Sequence, residues 1–226
     1  MSLYFLLLLV SGIVPLLLSF DKRLQFYKSW KYVLPSIFAV AIVYIAFDVH
    51  FTKMNYWGFN PEYLSGIYIL HLPLEEILFF VIIPYASIFL HESILEYFPQ
   101  VKLGRKFNKL LSSTLILLSV ALLIYNHEKS YTVYIFSKLS IVLLLALWTR
   151  ADSIRSFYLT FFVILLPFLI VNGILTGSFI EEEVVWYNDA ENLGIRIFTI
   201  PIEDFAYAFS MILFNLLLIE KLKKIY

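Results

Sequence analysis

The sequence predicts an all-α polytopic membrane protein, with seven transmembrane helices set out as two parallel three-helix repeats joined by one linking helix. Three observations carry that expectation. Of the 226 residues, 61% are hydrophobic and only 15% charged, against about 25% charged in a soluble domain, and mean hydropathy is +0.84. Seven apolar runs come close to the roughly 20 residues that a bilayer core of about 30 Å requires. The second half of the chain also repeats the first at a fixed offset.

In chain order the runs cover about 3–20, 32–48, 70–90, 110–125, 131–148, 157–173 and 201–219. The first, within MSLYFLLLLVSGIVPLLLSF, has no basic residue ahead of it and is followed by Lys22 and Arg23. That pattern fits a retained span better than a cleaved leader. The second ends on Asp48, and the third opens with LPLEEILFF, so Glu75 and Glu76 stand at the mouth of an apolar stretch. The fourth is the shortest. Lys138 lies inside the fifth, Asn172 near the end of the sixth, and the seventh opens with IPIEDFAYAF, which carries Glu203 and Asp204. Of the 17 Lys and Arg, 13 fall in 21–31, 91–109, 149–156 and 220–226, whereas the alternate connections hold Lys53, Lys129 and Arg196. Positive charge marks the cytoplasmic side. The expectation is a multi-pass protein of the cell membrane, N-terminus outside and C-terminus inside.

The repeat appears at an offset of 128. Asn60 falls on Asn188, Gly66 on Gly194, Pro73 on Pro201, Glu75 on Glu203, Glu76 on Asp204 and Glu92 on Glu220. Between 59–92 and 187–220 no gap is needed, and 8 of 34 positions are identical. Two unrelated apolar helices would share leucines, not a Gly, a Pro and an acidic pair in register. Residues 1–92 then form the first repeat, 93–130 the linking helix and 131–226 the second repeat. Three spans turn a chain over, so the extra helix is what makes the repeats parallel. Both acidic motifs therefore begin their helices at the outer face.

Composition narrows the chemistry. With no cysteine there are no disulfides, thiolate metal sites or Cys nucleophiles. Zero formal charge gives no bulk attraction to nucleic acid. No GxGxxG, Walker or HExxH sequence occurs among these residues, so neither a nucleotide cofactor nor a metal is expected.

The acids remain. Pro73 and Pro201 suit a first helical turn, which places Glu75, Glu76, Glu203 and Asp204 where the helix dipole favours negative charge. A carboxylate at membrane depth costs roughly 2.5–3.5 kcal/mol on the insertion scale, and two matching pairs point to a site. Neighbours on a helix lie about 100° apart, so one acid of each pair faces a cavity and the other supports it. Carboxyls gathered in a low-dielectric pocket resist joint ionisation, leaving a proton donor beside an anion. That suits proton addition to an apolar substrate. The same outer layer holds Asp48, His50, Trp57 and Asn60 in FDVHFTKMNYWGFN, and His71 before the first motif. In the second half it holds Trp186, Tyr187 and Asn188 in VVWYN, then Arg196. Trp57, Trp186 and Tyr187 offer ring faces to a cation, and Lys138 is a lone cation that snorkels or pairs with a carboxylate.

The stretches FDVHFTKMNYWGFNPEYLSGIYILHLPLEEILFF and VVWYNDAENLGIRIFTIPIEDFAYAF together resemble the integral-membrane lycopene β-cyclases, small polytopic proteins. These occur as separate subunits in actinobacteria, as single chains in archaea and some bacteria, and fused to phytoene synthase in fungi. The resemblance covers almost the whole chain and rests on the Asp ending span two, WGFN, the Gly, and Pro-x-Glu-Glu/Asp in both halves. It implies cofactor-free, non-redox closure of lycopene end groups to β-ionone rings. Glu75, Glu76, Glu203, Asp204 and Asp48 would be catalytic. Asn60, Trp57, Phe79, Phe80, Asn188, Trp186, Tyr187, Arg196, His71 and Lys138 would face the substrate. The implied partners are a carotenoid within the bilayer, membrane lipid and other enzymes of carotenoid synthesis. After the motif the halves differ: Phe79–Phe80 in one, Tyr207–Ala208 in the other. Carotenoid hydratases, transporters built from parallel repeats and retinal sensors are the competing readings. The last needs a lysine that 201–219 does not contain.

Overall fold

In lipid a backbone has only itself to hydrogen-bond, so each apolar run is expected to close into a helix. Each does so in the structure, a computed structural model that describes residues 2–225. The helices are α1 (Leu3–Leu18), α2 (Trp30–Lys53), α3 (Leu74–Tyr97), α4 (Arg105–Tyr125), α5 (Ser130–Trp148), α6 (Ser153–Leu175) and α7 (Ile202–Ile225). Several run past the apolar stretch where basic residues stand. α2 ends on Lys53, α4 begins on Arg105, and α7 continues through Lys223 and Lys224. The aliphatic stems of such residues stay in contact with apolar surface while their charges reach water. Six helices are long and apolar enough to cross a membrane. The exception is α1, whose 16 residues rise about 24 Å.

Short strands interrupt the all-helical expectation at the end of the bundle where α3 and α7 begin. β1 (Trp57–Phe59) pairs antiparallel with β4 (Val185–Tyr187), setting Trp57 opposite Tyr187 and Gly58 opposite Trp186. β2 (Tyr68–Ile69) pairs with β3 (Leu72–Pro73), and β5 (Arg196–Ile197) with β6 (Ile200–Pro201). These hairpins are why α3 begins at Leu74 and not at residue 70. Leu70, His71 and Phe198 turn the chain with φ of 52°, 72° and 55°, a left-handed conformation that hydropathy does not register. Gly66 and Gly194 also have positive φ, at 80° and 68°, a conformation glycine adopts without penalty. Pro73 and Pro201 each close a strand, and the helix starts at the next residue.

Helices α3 and α7 are central. α1 lies along α3, α5 lies along α7, α2 crosses to α7, and α6 crosses to α3. α4 packs mainly on α5 at the edge. Towards one end the core is apolar, with Phe157, Phe161 and Phe209 edge to face or tilted at 4.8–5.4 Å between ring centroids. Several of its polar groups are satisfied locally, by His91 Nδ1 and Thr160 Oγ1 at 2.7 Å and by Ser36 Oγ donating to the Asn215 carbonyls. Towards the other end lie the acids.

A methyl group added to Gly58 would overlap the indole of Trp186, and Trp186 is held by its pairing to β1. Gly58→Ala should therefore destabilise by about 1–3 kcal/mol, or a fall in melting midpoint of about 2–4 °C per kcal/mol. Thermal unfolding of the purified protein checks this; an unchanged midpoint would show that the β1–β4 strap is not packed as described.

Candidate active site

The site starts from the way the first turns of α3 and α7 present their acids. In α3, Glu75 points back to the connection before it. Its Oε1 accepts from Ser2 Oγ at 2.8 Å and from the Ser65 backbone N–H at 2.6 Å. In α7, Glu203 Oε1 accepts from Thr132 Oγ1 at 2.7 Å and from the Leu193 N–H at 2.8 Å. Each of these acids pins the start of a neighbouring helix and a loop to its own first turn. About 100° round the helix, Glu76 and Asp204 point the other way, into a shared cavity.

That cavity has a volume of about 380 Å³. Its wall is drawn from α1, α2, α3, α5, α6 and α7 together with β1 and β4. Along most of its length the lining is aliphatic or aromatic, and one end gathers Asp48, Glu76 and Asp204. Tyrosines hold two of the three. Tyr4 O–H donates to Glu76 Oε2 at 2.5 Å. Tyr131 O–H donates to Asp204 Oδ1 at 2.6 Å, and Tyr187 O–H to its Oδ2 at 2.8 Å. Asp48 is fully buried, and neither of its oxygens has a hydrogen-bond partner among the described residues. Glu76 lies within electrostatic reach of both Asp48 and Asp204, and Asp48 also feels the Lys138 ammonium. Around them stand the rings of Trp57, Tyr131, Tyr187 and Tyr207, with Trp57 edge-on to the three tyrosines at 5.1, 5.8 and 6.4 Å. Burial and the adjacent Asp204 carboxylate push the Tyr187 phenol well above its ordinary value, so it remains a donor.

The other expected site residues divide by position. Phe79 lines the cavity with Trp57 and Tyr187, and Asn172 lines it further along. Phe80 is buried behind the wall, tilted against Tyr44 and Tyr207. Asn60 and Asn188 lie outside the cavity and fix turns. Asn60 accepts from the Glu62 N–H and donates to Glu182, while Asn188 accepts from the Ala190 N–H. Trp186 covers Gly58, and His71 is exposed in its hairpin turn. Arg196 sits behind Tyr187, its guanidinium 5.8 Å from the ring centroid. It is held by the Thr199 carbonyl at 2.9 Å and by Asp189 at 2.7 Å, and that pairing draws the Asp189 carboxyl below its usual range. Lys138 does not line the cavity. Its ammonium, without a hydrogen-bond acceptor among the described residues, stands 4.5–5.2 Å from the ring centroids of Phe47, Tyr44, Tyr207 and Phe51.

Sequence reasoning missed Tyr4, Tyr131, Ser2 and Thr132. A signal existed: Tyr4 and Tyr131 correspond at an offset of 127, one residue short of the register that matches the acids. The tyrosines are thus hidden from a comparison made without a gap.

A family model described as lycopene cyclase matches residues 1–94 and 128–222, which is most of the chain. No curated protein and no solved structure matches it.

Glu203→Ala would orphan the Thr132 hydroxyl and the Leu193 N–H, at about 1–3 kcal/mol for each buried group left unpaired. A lowered unfolding midpoint is expected, with most of it regained in Glu203→Gln, which keeps an acceptor oxygen. Equal losses in the two variants would contradict the pinning role.

Proposed function

The chain belongs to the lycopene cyclase family, and from that premise we propose that it is a lycopene β-cyclase working by acid catalysis without a redox cofactor. The observation that carries this reading is the placement of three carboxyls at one end of an apolar cavity, two fixed by tyrosine and one free. An apolar chain end that enters meets acids, ring faces and few other polar groups.

The roles follow from the hydrogen bonds. An ionised Asp48 would have no hydrogen-bond donor among the described residues and only the attraction of the Lys138 ammonium, itself buried among rings, to offset the cost of burial; as a neutral acid it is the proton donor. It protonates the terminal double bond of the substrate, leaving a tertiary carbocation. The neighbouring alkene attacks that centre, a six-membered ring closes, and the positive charge moves to the next tertiary carbon. Asp204, with both oxygens occupied by tyrosine donors, is the fixed anion that offsets this charge. The faces of Trp57, Tyr131, Tyr187 and Tyr207 add cation–π attraction. Glu76 has Oε2 held by Tyr4 and Oε1 free to accept the proton lost from the ring carbon. Glu76 then gives that proton up to water and Asp48 takes one from water, which resets the site. One proton is gained and one lost, so the reaction is an isomerisation.

Membrane placement and repeat structure belong to the same proposal. Six long apolar helices support a multi-pass protein; with α1 as a seventh span, the 13 basic residues of 21–31, 91–109, 149–156 and 220–226 put the N-terminus outside. The division into 1–92, 93–130 and 131–226, with the two outer parts as parallel repeats, is supported by matching contacts. Glu75 with Ser65 mirrors Glu203 with Leu193, and Glu76 with Tyr4 mirrors Asp204 with Tyr131.

Expressed in a lycopene-accumulating host, the chain should yield bicyclic β-carotene, and in liposomes it should do so with no flavin or nicotinamide added. Glu76→Gln and Asp204→Asn should each cut the rate about 10²–10⁴-fold, the usual share of a general acid–base group, at unchanged protein level. Glu96→Gln and Glu128→Gln, on exposed acids, are the controls. Near-normal product from Glu76→Gln and Asp204→Asn would sink the reading.

Reporter fusions after Lys224 and within 177–183 should report opposite sides of the membrane. The same side for both would break the seven-span orientation.

A further inference from the structure

The cavity is not sealed along its length. Val14 and Leu18 of α1 line it and are nevertheless 54% and 50% exposed, and Pro167 of α6, also in the lining, is exposed as well. The reason lies in the packing: α1 rests on α3, and α6 rests on α3 and α7. At their outer ends α1 and α6 close on each other, where Tyr4 and Leu8 share one apolar cluster with Leu175 and Val171. Beyond that cluster they part. We propose that this slot between α1 and α6 is a lateral portal that seats the unreacted length of a long polyene while its end group lies against the acids.

Length supports that occupant. The cavity follows α1 from Tyr4 to Leu18, about 21 Å at 1.5 Å per residue. A forty-carbon polyene has roughly thirty chain bonds, and at about 1.2 Å per bond in an extended chain it spans about 36 Å. With one end at Asp48, Glu76 and Asp204, a third or more of it must leave the cavity. The apolar slot facing lipid is where it leaves.

The corresponding place on the other side of the molecule is filled. When Tyr4 is laid on Tyr131, Ser11 falls on Lys138, and the earlier offset lays Tyr44 on Asn172. Ser11 and Asn172 leave the α1–α6 side open and line the cavity. Between α5 and α2 the equivalent space holds the Lys138 stem, with its ammonium among the rings of Tyr44, Phe47, Phe51 and Tyr207. One entrance serves one reactive end. The first ring must therefore withdraw through the slot before the other end of the same molecule can enter.

This inference rests on the cyclase reading, and two measurements separate them. The first is cyclisation by Val14→Trp, with Phe162→Trp, on the lipid-exposed face of α6 and away from the cavity, as the control. The second is the amount of lycopene carried through purification by Glu76→Gln and by Glu76→Gln combined with Val14→Trp, which reports binding without turnover. Filling the slot should cut both cyclisation and retained lycopene by about ten-fold or more, while Phe162→Trp matches wild type. Wild-type turnover by Val14→Trp, or full retention of lycopene in the double variant, would overturn the portal. If wild type forms no rings, the cyclase reading fails, and the retention arm still decides the portal: loss of lycopene in the double variant supports it, and full retention overturns it.

Discussion

A carboxyl taken out of water must be given donors or kept neutral, because a buried charge without a partner costs several kcal/mol after all relaxation. The whole end of the molecule where α3 and α7 begin is arranged around that constraint. Tyr4 reaches Glu76 from α1, and Tyr131 reaches Asp204 from α5. Ser2 and Thr132 bind the adjacent acids from the same two helix starts. Each acidic pair thus fastens one helix to another, α1 to α3 and α5 to α7, at the depth where the cavity closes. The connections leading into the hairpins before α3 and α7 supply the Ser65 and Leu193 N–H groups that bind Glu75 and Glu203. Removing the acids would leave these helix starts and loops with unmet donors, so the groups proposed for chemistry also hold the fold.

The two halves also depart from likeness where they meet at the cavity. Thr176 occupies the position that matches Asp48, and Phe59 the position that matches Tyr187. Within the proposed repeat, one half therefore contributes the unpartnered acid and the other the doubly held anion. On the proposed mechanism a donor and a fixed counter-charge of different character end up in one cavity, as two exact copies could not provide. Lys138 extends the asymmetry by closing one of the two equivalent side openings. Its charge is accommodated by ring faces and by attraction to the buried Asp48 carboxyl, an arrangement suited to a low-dielectric position.

Much of this is legible in the sequence. All seven helices follow from apolar run length, and the acidic motifs follow from their recurrence at 128 residues. The 100° step between neighbours already says that one acid of each pair faces inward, but not which. That depends on where the Ser65 and Leu193 N–H groups fall, which tight turns with positive φ at Leu70, His71 and Phe198 decide. Hydropathy reads 70–73 as the start of a helix for the same reason. Asn60 and Asn188 match between the halves yet fix turns outside the cavity, because a repeated position can be repeated for the loop it shapes. Tyr4 and Tyr131 escape notice through a one-residue shift in register and through the abundance of aromatics at membrane interfaces.

The central claim is that a protein carboxyl in exchange with water protonates the substrate and that a different hydrogen is then lost. Mass analysis of the product formed in D₂O tests this most directly. Each ring closed should carry one deuterium, on the carbon beside the gem-dimethyl centre, so bicyclic product should be two mass units heavier than product formed in H₂O. Rings free of deuterium would show that the new C–H bond does not draw on an exchangeable acid, and would contradict the role given to Asp48, Glu76 and Asp204.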